Sequence, residues 1–251
     1  MDKVIRAIDP RPSDTFLEIG PGRGALTMPL ARAARRVTAF EIDRDLAALL
    51  RKVVPENVAV IEVDFLDVTP ARVEGLRTPG SPFRAAGNLP YNVASPILFT
   101  LIELVRAGLP IVDATVMLQR EVADRLLASP GIKDYGVLTI LVGRHADVTR
   151  LLNLPRGAFR PAPKVESTVV RLAFRSPRPP ARDERVLEAV VRAVFTRRRK
   201  TLANALLAYE PARSVDRSAA LARAGLDGAR RPETLDAAEL VRLADAFTAN
   251  P

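Results

Sequence analysis

The chain has 251 residues, 48% of them hydrophobic, which is enough for one large domain or for one domain with a small appendage. It contains no cysteine and a single histidine, His145. Disulfides, thiolate metal sites and cysteine nucleophiles are therefore excluded, and we predict neither a metal site nor a Ser-His-Asp triad. Lys and Arg total 38 against 29 Asp and Glu, which gives a net charge of +9. This charge favours a polyanionic partner such as nucleic acid or an acidic membrane surface. The alternative is that the protein comes from an arginine-rich proteome, which would give the same excess of positive charge.

The N-terminal residues Met1 to Pro10 lack both the basic start and the long apolar run of a secretory signal. No apolar stretch reaches about 18 residues without a charge, so we expect a soluble, cytoplasmic protein without a membrane span. Apolar residues from Val4 to Ile8 have helical spacing, and Asp9-Pro10 predicts the end of that helix because the residue before proline disfavours it.

The next part of the chain alternates strands and helices. Predicted strands at Thr15–Ile19, Val37–Asp43 and Val58–Val63 alternate with helical stripes that begin near Leu26 and Leu46. Elements of this length in this order predict an α/β fold with a parallel, doubly wound sheet.

The fourth and fifth predicted strands lie before Asn88 and at Asp113–Leu118, and a helix follows over Glu121–Leu127. The apolar run Val137–Val142 is predicted to begin a late pair of strands, which Val165–Phe174 completes. Strands joined in this way would be antiparallel, giving a mixed edge on an otherwise parallel sheet.

A proline-rich stretch from Ser176 to Pro180 is typical of a stiff linker, and only helical patterns follow it. We therefore predict a domain over residues 1–176, a linker over 177–181 and a small all-α domain over 182–251.

Three acidic positions and a glycine-rich turn indicate a nucleoside ligand. Glu18-x-Gly20-x-Gly22-x-Gly24 lies between a strand and a helix, where backbone approaches a ligand closely. Glu41, about 20 residues further on, is placed to accept hydrogen bonds from ribose hydroxyls. The pattern fits both NAD and S-adenosylmethionine. Asp64 would accept a hydrogen bond from the adenine amino group of the cofactor, or else would cap the short segment that follows it.

The stretch Asn88-Leu89-Pro90-Tyr91 helps to decide between NAD and S-adenosylmethionine as the cofactor. Asn and Pro are common turn formers, so it could simply end a strand. Alternatively, it would grip a flat base that carries an exocyclic amine, a need that an NAD dehydrogenase does not have.

With this stretch the chain resembles the ribosomal RNA adenine N6-dimethyltransferases of the small-subunit type, over nearly its whole length. The residues that carry the resemblance are Phe16 to Thr27, Glu41 to Asp43, Asp64, Asn88 to Pro96, Tyr135 to Thr139, Phe159 to Ser167 and Phe195 to Asn204. The Asn-Leu-Pro-Tyr and Phe-x-Pro-x-Pro-Lys-Val motifs are highly specific together, whereas the glycine motif is shared by very many folds.

The resemblance implies a Rossmann-like class I methyltransferase domain that uses S-adenosylmethionine, with a helical C-terminal domain that binds RNA. It assigns cofactor binding to Glu18, Gly20, Gly22, Glu41, Asp64 and Asn88, and it assigns catalysis to Asn88, Leu89, Pro90, Tyr91 and Phe159. The implied partner is 16S-type rRNA of the small ribosomal subunit during ribosome biogenesis, and we expect a monomer. Phe159 would cover one face of the base, unless it is a core residue under its loop.

Arg197, Arg198, Arg199 and Lys200 give four successive positive charges, suited to RNA phosphates or else forming a solvated basic face. The family's Gly-Gln-Asn-Phe-Leu-type segment would precede Met1 by spacing, so we expect weaker cofactor binding and a more open pocket. Alternative functions are the large-subunit resistance-type methyltransferase, a non-catalytic assembly factor on the same fold, and a nicotinamide dehydrogenase.

Overall fold

The computed structural model describes residues 1–77, 80–158, 165–213 and 216–248. Within these ranges, seven strands form one sheet: β1 (Thr15–Ile19), β2 (Arg36–Glu41), β3 (Val58–Glu62), β4 (Phe83–Asn88), β5 (Ile111–Gln119), β6 (Ala146–Leu154) and β7 (Ser167–Phe174). The helices are α1 (Asp2–Ile8), α2 (Thr27–Ala33), α3 (Arg44–Arg51), α4 (Pro70–Glu74), α5 (Ala94–Arg106), α6 (Arg120–Leu126), α7 (Val137–Gly143), α8 (Glu184–Thr196), α9 (Leu202–Ala205), α10 (Arg217–Ala224) and α11 (Ala237–Asp245). Short 3-10 turns lie at Phe65–Asp67, Arg156–Ala158, Leu206–Ala208, Glu210–Arg213 and Pro232–Thr234.

The strand order is β3-β2-β1-β4-β5-β7-β6. Strands β1 to β5 are parallel, whereas β7 pairs antiparallel with both β5 and β6. The predicted α/β fold with an antiparallel late pair is confirmed. The order reverses between β1 and β4, and open α/β sheets bind ligands in the crevice at the carboxyl ends of the strands at such a point.

The central strands are buried because helices cover both faces of a parallel sheet. All five residues of β1 are buried. Val4 and Ile8 of α1 join a core cluster with Phe16 of β1 and Met117 of β5. Helix α1 therefore forms part of the core and ends at Ile8, as the Asp9-Pro10 signal predicts.

The strand predicted at Val137–Val142 is wrong, because these residues form the helix α7. Leu138, Ile140, Leu141 and Val142 are all buried, and a short run that is almost entirely apolar has no clear helical periodicity to distinguish it from a buried strand. A local contact marks the helix start: the Gly136 N–H donates to the Thr139 hydroxyl at 3.2 Å. The first strand of the late pair is instead β6.

The chain divides into two compact units, each made of two segments. The sheet unit contains residues 1–123 and 146–175, and the helical unit contains residues 124–145 and 176–251. The domain limits predicted at 176 and 182 remain a prediction. Within the described ranges, none of the helices combines the length and the apolar character needed to cross a bilayer.

Candidate active site

The glycine turn after β1 adopts a conformation that favours glycine. Gly20 and Gly22 have φ angles of +65° and +55°, in the left-handed region that side chains disfavour. Glu41, at the end of β2, fixes this turn, since its Oε2 accepts the Gly22 N–H at 2.8 Å and its Oε1 accepts the Asp43 N–H at 3.0 Å. The two predicted cofactor elements are therefore in direct contact.

A cavity of about 680 Å³ lies beside this turn. Its lining includes Gly20, Gly22 and Glu18, together with Gly87 and Asn88 from the end of β4. Val4 and Ile8 of α1 line it as well. The cavity thus brings the glycine turn and Asn88 together; in the described part of the chain, Glu41, Asp64 and Tyr91 are outside its lining.

Glu18 is 1% exposed, yet neither carboxylate oxygen has a hydrogen-bond partner in the described part of the chain. Burial raises the pKa of Glu18 to about 7; the nearby Thr27 hydroxyl opposes this rise and the charge of Glu41 adds to it. A buried ionisable group that faces a cavity without a partner is costly by itself, and such groups occur at functional sites. Glu18 is therefore suited to a ligand that brings a positive charge or a hydrogen-bond donor.

Gly87 also lines the cavity, and glycine is favoured there for a different reason. A Cβ atom on Gly87 would lie 2.7 Å from the Ile19 carbonyl oxygen and 3.2 Å from Leu89 Cδ2. No side chain fits at this position, so β4 approaches β1 closely just before Asn88.

The stretch from Asn88 to Tyr91 is both a turn and part of this site. The Leu89 side chain is 1% exposed and its N–H donates to the Met117 carbonyl at 3.1 Å, which anchors the turn to β5. Asn88 and Pro90 are exposed on either side of Leu89. Tyr91 is 38% exposed, and its hydroxyl lies 3.3 Å from the buried Ser167 hydroxyl.

Asp64 caps the 3-10 turn Phe65–Asp67, with Oδ1 accepting the Leu66 N–H at 2.9 Å. The capping role weighed in the sequence is therefore present, and it leaves the other carboxylate oxygen for other contacts. Phe159 lies outside the described residues.

Two exposed apolar residues near the predicted cofactor-binding acids were not identified as candidate site residues from the sequence. Ile42 follows Glu41 and is 66% exposed, and Leu66 lies two residues after Asp64 and is 37% exposed. The signal that could have identified them is that each follows, within two residues, an acidic residue at or just after the end of a strand.

The basic run begins immediately after α8, with Arg197 as its C-terminal cap. Arg198 and Arg199 line a cavity of about 750 Å³ in the helical unit, while Arg197 and Lys200 are exposed in the same turn. Arg198 pairs with Glu233 at 2.9 Å. Further basic residues of this lining are Arg125, Lys133 and Arg231. Their positions in the sequence are too scattered for any local pattern to reveal them.

Known proteins resemble this chain in sequence and in fold. A family profile described as "Ribosomal RNA adenine dimethylase" matches residues 1–248. Two curated relatives are each named "Ribosomal RNA small subunit methyltransferase A". The relative from Acinetobacter baylyi is 43% identical over 97% of this chain and 85% of its own length, and that from Pseudomonas fluorescens is 42% identical over 100% and 90%.

Solved structures show the same fold. A dimethyladenosine transferase from Plasmodium falciparum superposes with a TM-score of 0.75 at 27% identity, covering 96% of this chain and 92% of that one. The 23S rRNA methyltransferase ErmE superposes with a TM-score of 0.66 at 30% identity, covering 98% and 97%. The resemblance read from the sequence is confirmed, and the chain belongs to the ribosomal RNA adenine dimethylase family.

Proposed function

We propose that the protein transfers methyl groups from S-adenosylmethionine to N6 of adenines in small-subunit rRNA, adding two to each target adenine. The observation that carries this proposal is that Asn88, which opens the Asn-Leu-Pro-Tyr stretch, lines the same cavity as the glycine turn. The family match and the names of the curated relatives support the rRNA substrate and the small subunit.

The cavity fits the cofactor because it offers the buried Glu18 carboxylate, which has no hydrogen-bond partner among the described residues, and a glycine turn whose backbone is not covered by side chains at Gly20 and Gly22. When bound, S-adenosylmethionine supplies an electrophilic methyl group on a sulfonium. In our proposal Glu18 accepts hydrogen bonds from its ammonium group, Gly20 and Gly22 admit its close approach, and Glu41 accepts from ribose hydroxyls. Glu41 retains acceptor capacity for this, since each oxygen takes only one backbone N–H.

We propose that Asp64 and its surroundings recognise the adenine ring of the cofactor. The carboxylate oxygen that is not used in capping accepts from an adenine amino group, while Ile42 and Leu66 provide apolar surface for the flat ring. Both side chains are exposed, so they are accessible to a ring that binds beside Asp64.

The adenine amine is a weak nucleophile because its lone pair is delocalised into the ring. We propose that the Asn88 side-chain oxygen and the Leu89 carbonyl accept the two amine hydrogens before the first transfer, and that one of them accepts the remaining hydrogen before the second. These hydrogen bonds aim the nitrogen lone pair and stabilise the positive charge that develops on nitrogen, which then loses one proton to solvent after each transfer. Pro90 restricts the backbone after Leu89, so the two acceptors are held before the substrate arrives. Such a site needs no strong general base, consistent with the single histidine of this chain.

Tyr91 is proposed to stack on the target base once it has left its helix, with Phe159 on the opposite face. The Ser167 hydroxyl holds the Tyr91 ring by its contact with the phenol oxygen at 3.3 Å. A preorganised ring loses less conformational entropy when the base binds.

The basic cavity of the helical unit is proposed to bind rRNA phosphates. Five cationic side chains line this cavity: Arg198 and Arg199 from the predicted run, with Arg125, Lys133 and Arg231. The acidic residues of the same lining are Asp134 and Glu233. We further propose that the protein acts in the cytoplasm and as a monomer, which light scattering of the purified protein would test.

The decisive experiment is transfer of labelled methyl groups to undermethylated small subunits, followed by nucleoside analysis. Wild-type protein should produce N6-dimethyladenosine, and Asn88→Ala should lower kcat about 100-fold or more. Asn153→Ala, which removes an exposed asparagine of β6 outside the cavity lining, serves as the matched control and should retain activity. No dimethyladenosine with wild-type protein, or labelling of large-subunit rRNA alone, would contradict the proposal.

A further inference from the structure

Two arginines from the sheet donate hydrogen bonds to backbone carbonyls at the C-terminal end of α1. Arg84 of β4 donates from Nη2 to the Ile8 carbonyl at 2.7 Å and from Nη1 to the Asp9 carbonyl at 2.9 Å. Arg171 of β7 donates from Nη2 to the Ala7 carbonyl at 2.8 Å and to the Ile8 carbonyl at 3.0 Å. These arginines therefore satisfy carbonyls that the helix end leaves without partners.

The two guanidinium groups are themselves fixed by acidic residues. Arg84 binds both oxygens of Asp113 at 2.9 Å, a bidentate contact, and it binds Asp14 at 2.7 Å. The Arg84, Asp14 and Asp113 side chains are only 12% to 14% exposed, so the network is largely shielded from solvent. Arg171 completes it, with Nε 3.6 Å from Asp113 and 3.4 Å from the Thr115 hydroxyl.

Strand register connects this network to the active site. Arg84 pairs with Asp113, and Asn88 pairs with Met117. Because side chains alternate along a strand, Arg84 and Asn88 lie on the same face of β4, four residues apart. One strand therefore carries an α1 contact near its start and the proposed catalytic amide at its end.

Helix α1 lies on this face and forms part of the cofactor cavity. Val4 and Ile8 pack in the core cluster with Met117, and both line the cavity. The helix has only seven residues, and helices of this length are unstable without tertiary contacts. Its position, and with it the shape of the cavity, depends on what holds its ends.

We propose that Arg84 and Arg171 are positioning residues for the methyl-transfer reaction: by holding the C-terminal end of α1 they set the affinity for the cofactor, without touching the reacting groups. The identity of that cofactor rests on the function proposed above. The consequence is that loosening α1 weakens cofactor binding while the alignment at Asn88, which β4 and the Leu89 anchor provide, is retained.

The test compares Arg171→Gln, Arg171→Lys and Arg84→Lys with wild type. Isothermal titration calorimetry gives the Kd for S-adenosylmethionine directly, steady-state kinetics separates KM from kcat, and hydrogen exchange reports the amides of residues 4–9. Arg171 is 30% exposed, so its variants are the ones that should fold without difficulty. We expect Arg171→Gln to raise Kd and KM about tenfold with kcat within about twofold, since a charge-assisted hydrogen bond contributes roughly that factor. Arg171→Lys should recover part of the affinity.

Arg230→Gln is the matched control, because Arg230 lies in the helical unit and, like Arg171, is about one-third exposed and binds both a carboxylate, that of Glu239, and a backbone carbonyl, that of Thr234. It should lower Tm and leave the Kd for the cofactor unchanged. A Kd of Arg171→Gln within twofold of wild type, or an equal rise of Kd in Arg230→Gln, overturns the inference. A wild type that binds no S-adenosylmethionine refutes the proposed function instead, and hydrogen exchange at α1 still shows whether the two arginines hold the helix.

Discussion

Replacing Glu18 with glutamine should change how the stability of the protein depends on pH. Glu18 is almost completely buried and its pKa is raised from 4.5 to about 7, chiefly by burial. Between these two pH values the unfolded chain has released this proton while the folded protein still binds it. The folded protein is therefore destabilised as pH rises through this window, because it binds more protons than the unfolded state.

The magnitude follows from the size of the shift. A pKa that rises from 4.5 to about 7 corresponds to a loss of stability of about 3 kcal/mol, most of which develops between roughly pH 5 and pH 8.5. A glutamine side chain cannot ionise, so the Glu18→Gln variant should be more stable than wild type by about 3 kcal/mol above neutral pH, with only a small difference near pH 4.5.

Urea denaturation of both proteins across this range measures the effect, because other titrating groups cancel in the difference. A stability difference that does not change with pH would refute the reasoning. The same variant should bind S-adenosylmethionine more weakly. Calorimetry in buffers of different ionisation enthalpy should show that wild type, near pH 7, releases part of a proton on binding and that the variant does not.

Three further predictions concern other parts of the structure. Gly87→Ala should destabilise the protein by about 1 to 3 kcal/mol in urea denaturation, because its Cβ would meet the Ile19 carbonyl at 2.7 Å; wild-type stability would contradict this close approach. Ser167→Ala should raise KM for rRNA a few-fold and leave the cofactor Kd unchanged, since the change removes the contact that holds the Tyr91 ring; an altered cofactor Kd would argue against that role. Arg199→Gln should reduce the slope of log K against log salt for RNA binding by about 0.7 to 0.9, whereas the exposed Arg192→Gln should leave it unchanged.

The fold was predictable where local signals and packing agree. Alternating strands and helices, and the glycine turn after β1, identify the parallel sheet, and Asn88 falls at the end of β4 as predicted. The helix over residues 137–142 could not be assigned, because a short run that is almost entirely apolar has no clear amphipathic pattern. Tertiary contacts, such as the edge-to-face packing of the neighbouring Tyr135 on Phe195, help to fix this part of the chain, and they are not visible in the sequence.

The candidate site was predictable where one short motif carries several roles. Gly20, Gly22 and Asn88 do line one cavity, because the carboxyl ends of neighbouring parallel strands meet at one edge. The roles of Arg84 and Arg171 were not visible, since they depend on strand register and on contacts with carbonyls of α1, more than 70 residues away in the sequence. Backbone acceptors have no sequence signature.

The helical unit is interrupted in the sequence, and this affects how the protein can be divided. Its segment 124–145 precedes β6, whereas the rest begins at residue 176. The Tyr135 hydroxyl donates to the Leu235 carbonyl at 2.8 Å, and the almost fully buried Arg144 forms a bidentate pair with Glu184. A fragment that ends at residue 176 would expose the apolar side chains of α7 and leave Arg144 without its carboxylate. During synthesis, these residues emerge well before their partners, so this stretch is where a nascent chain would need protection from aggregation.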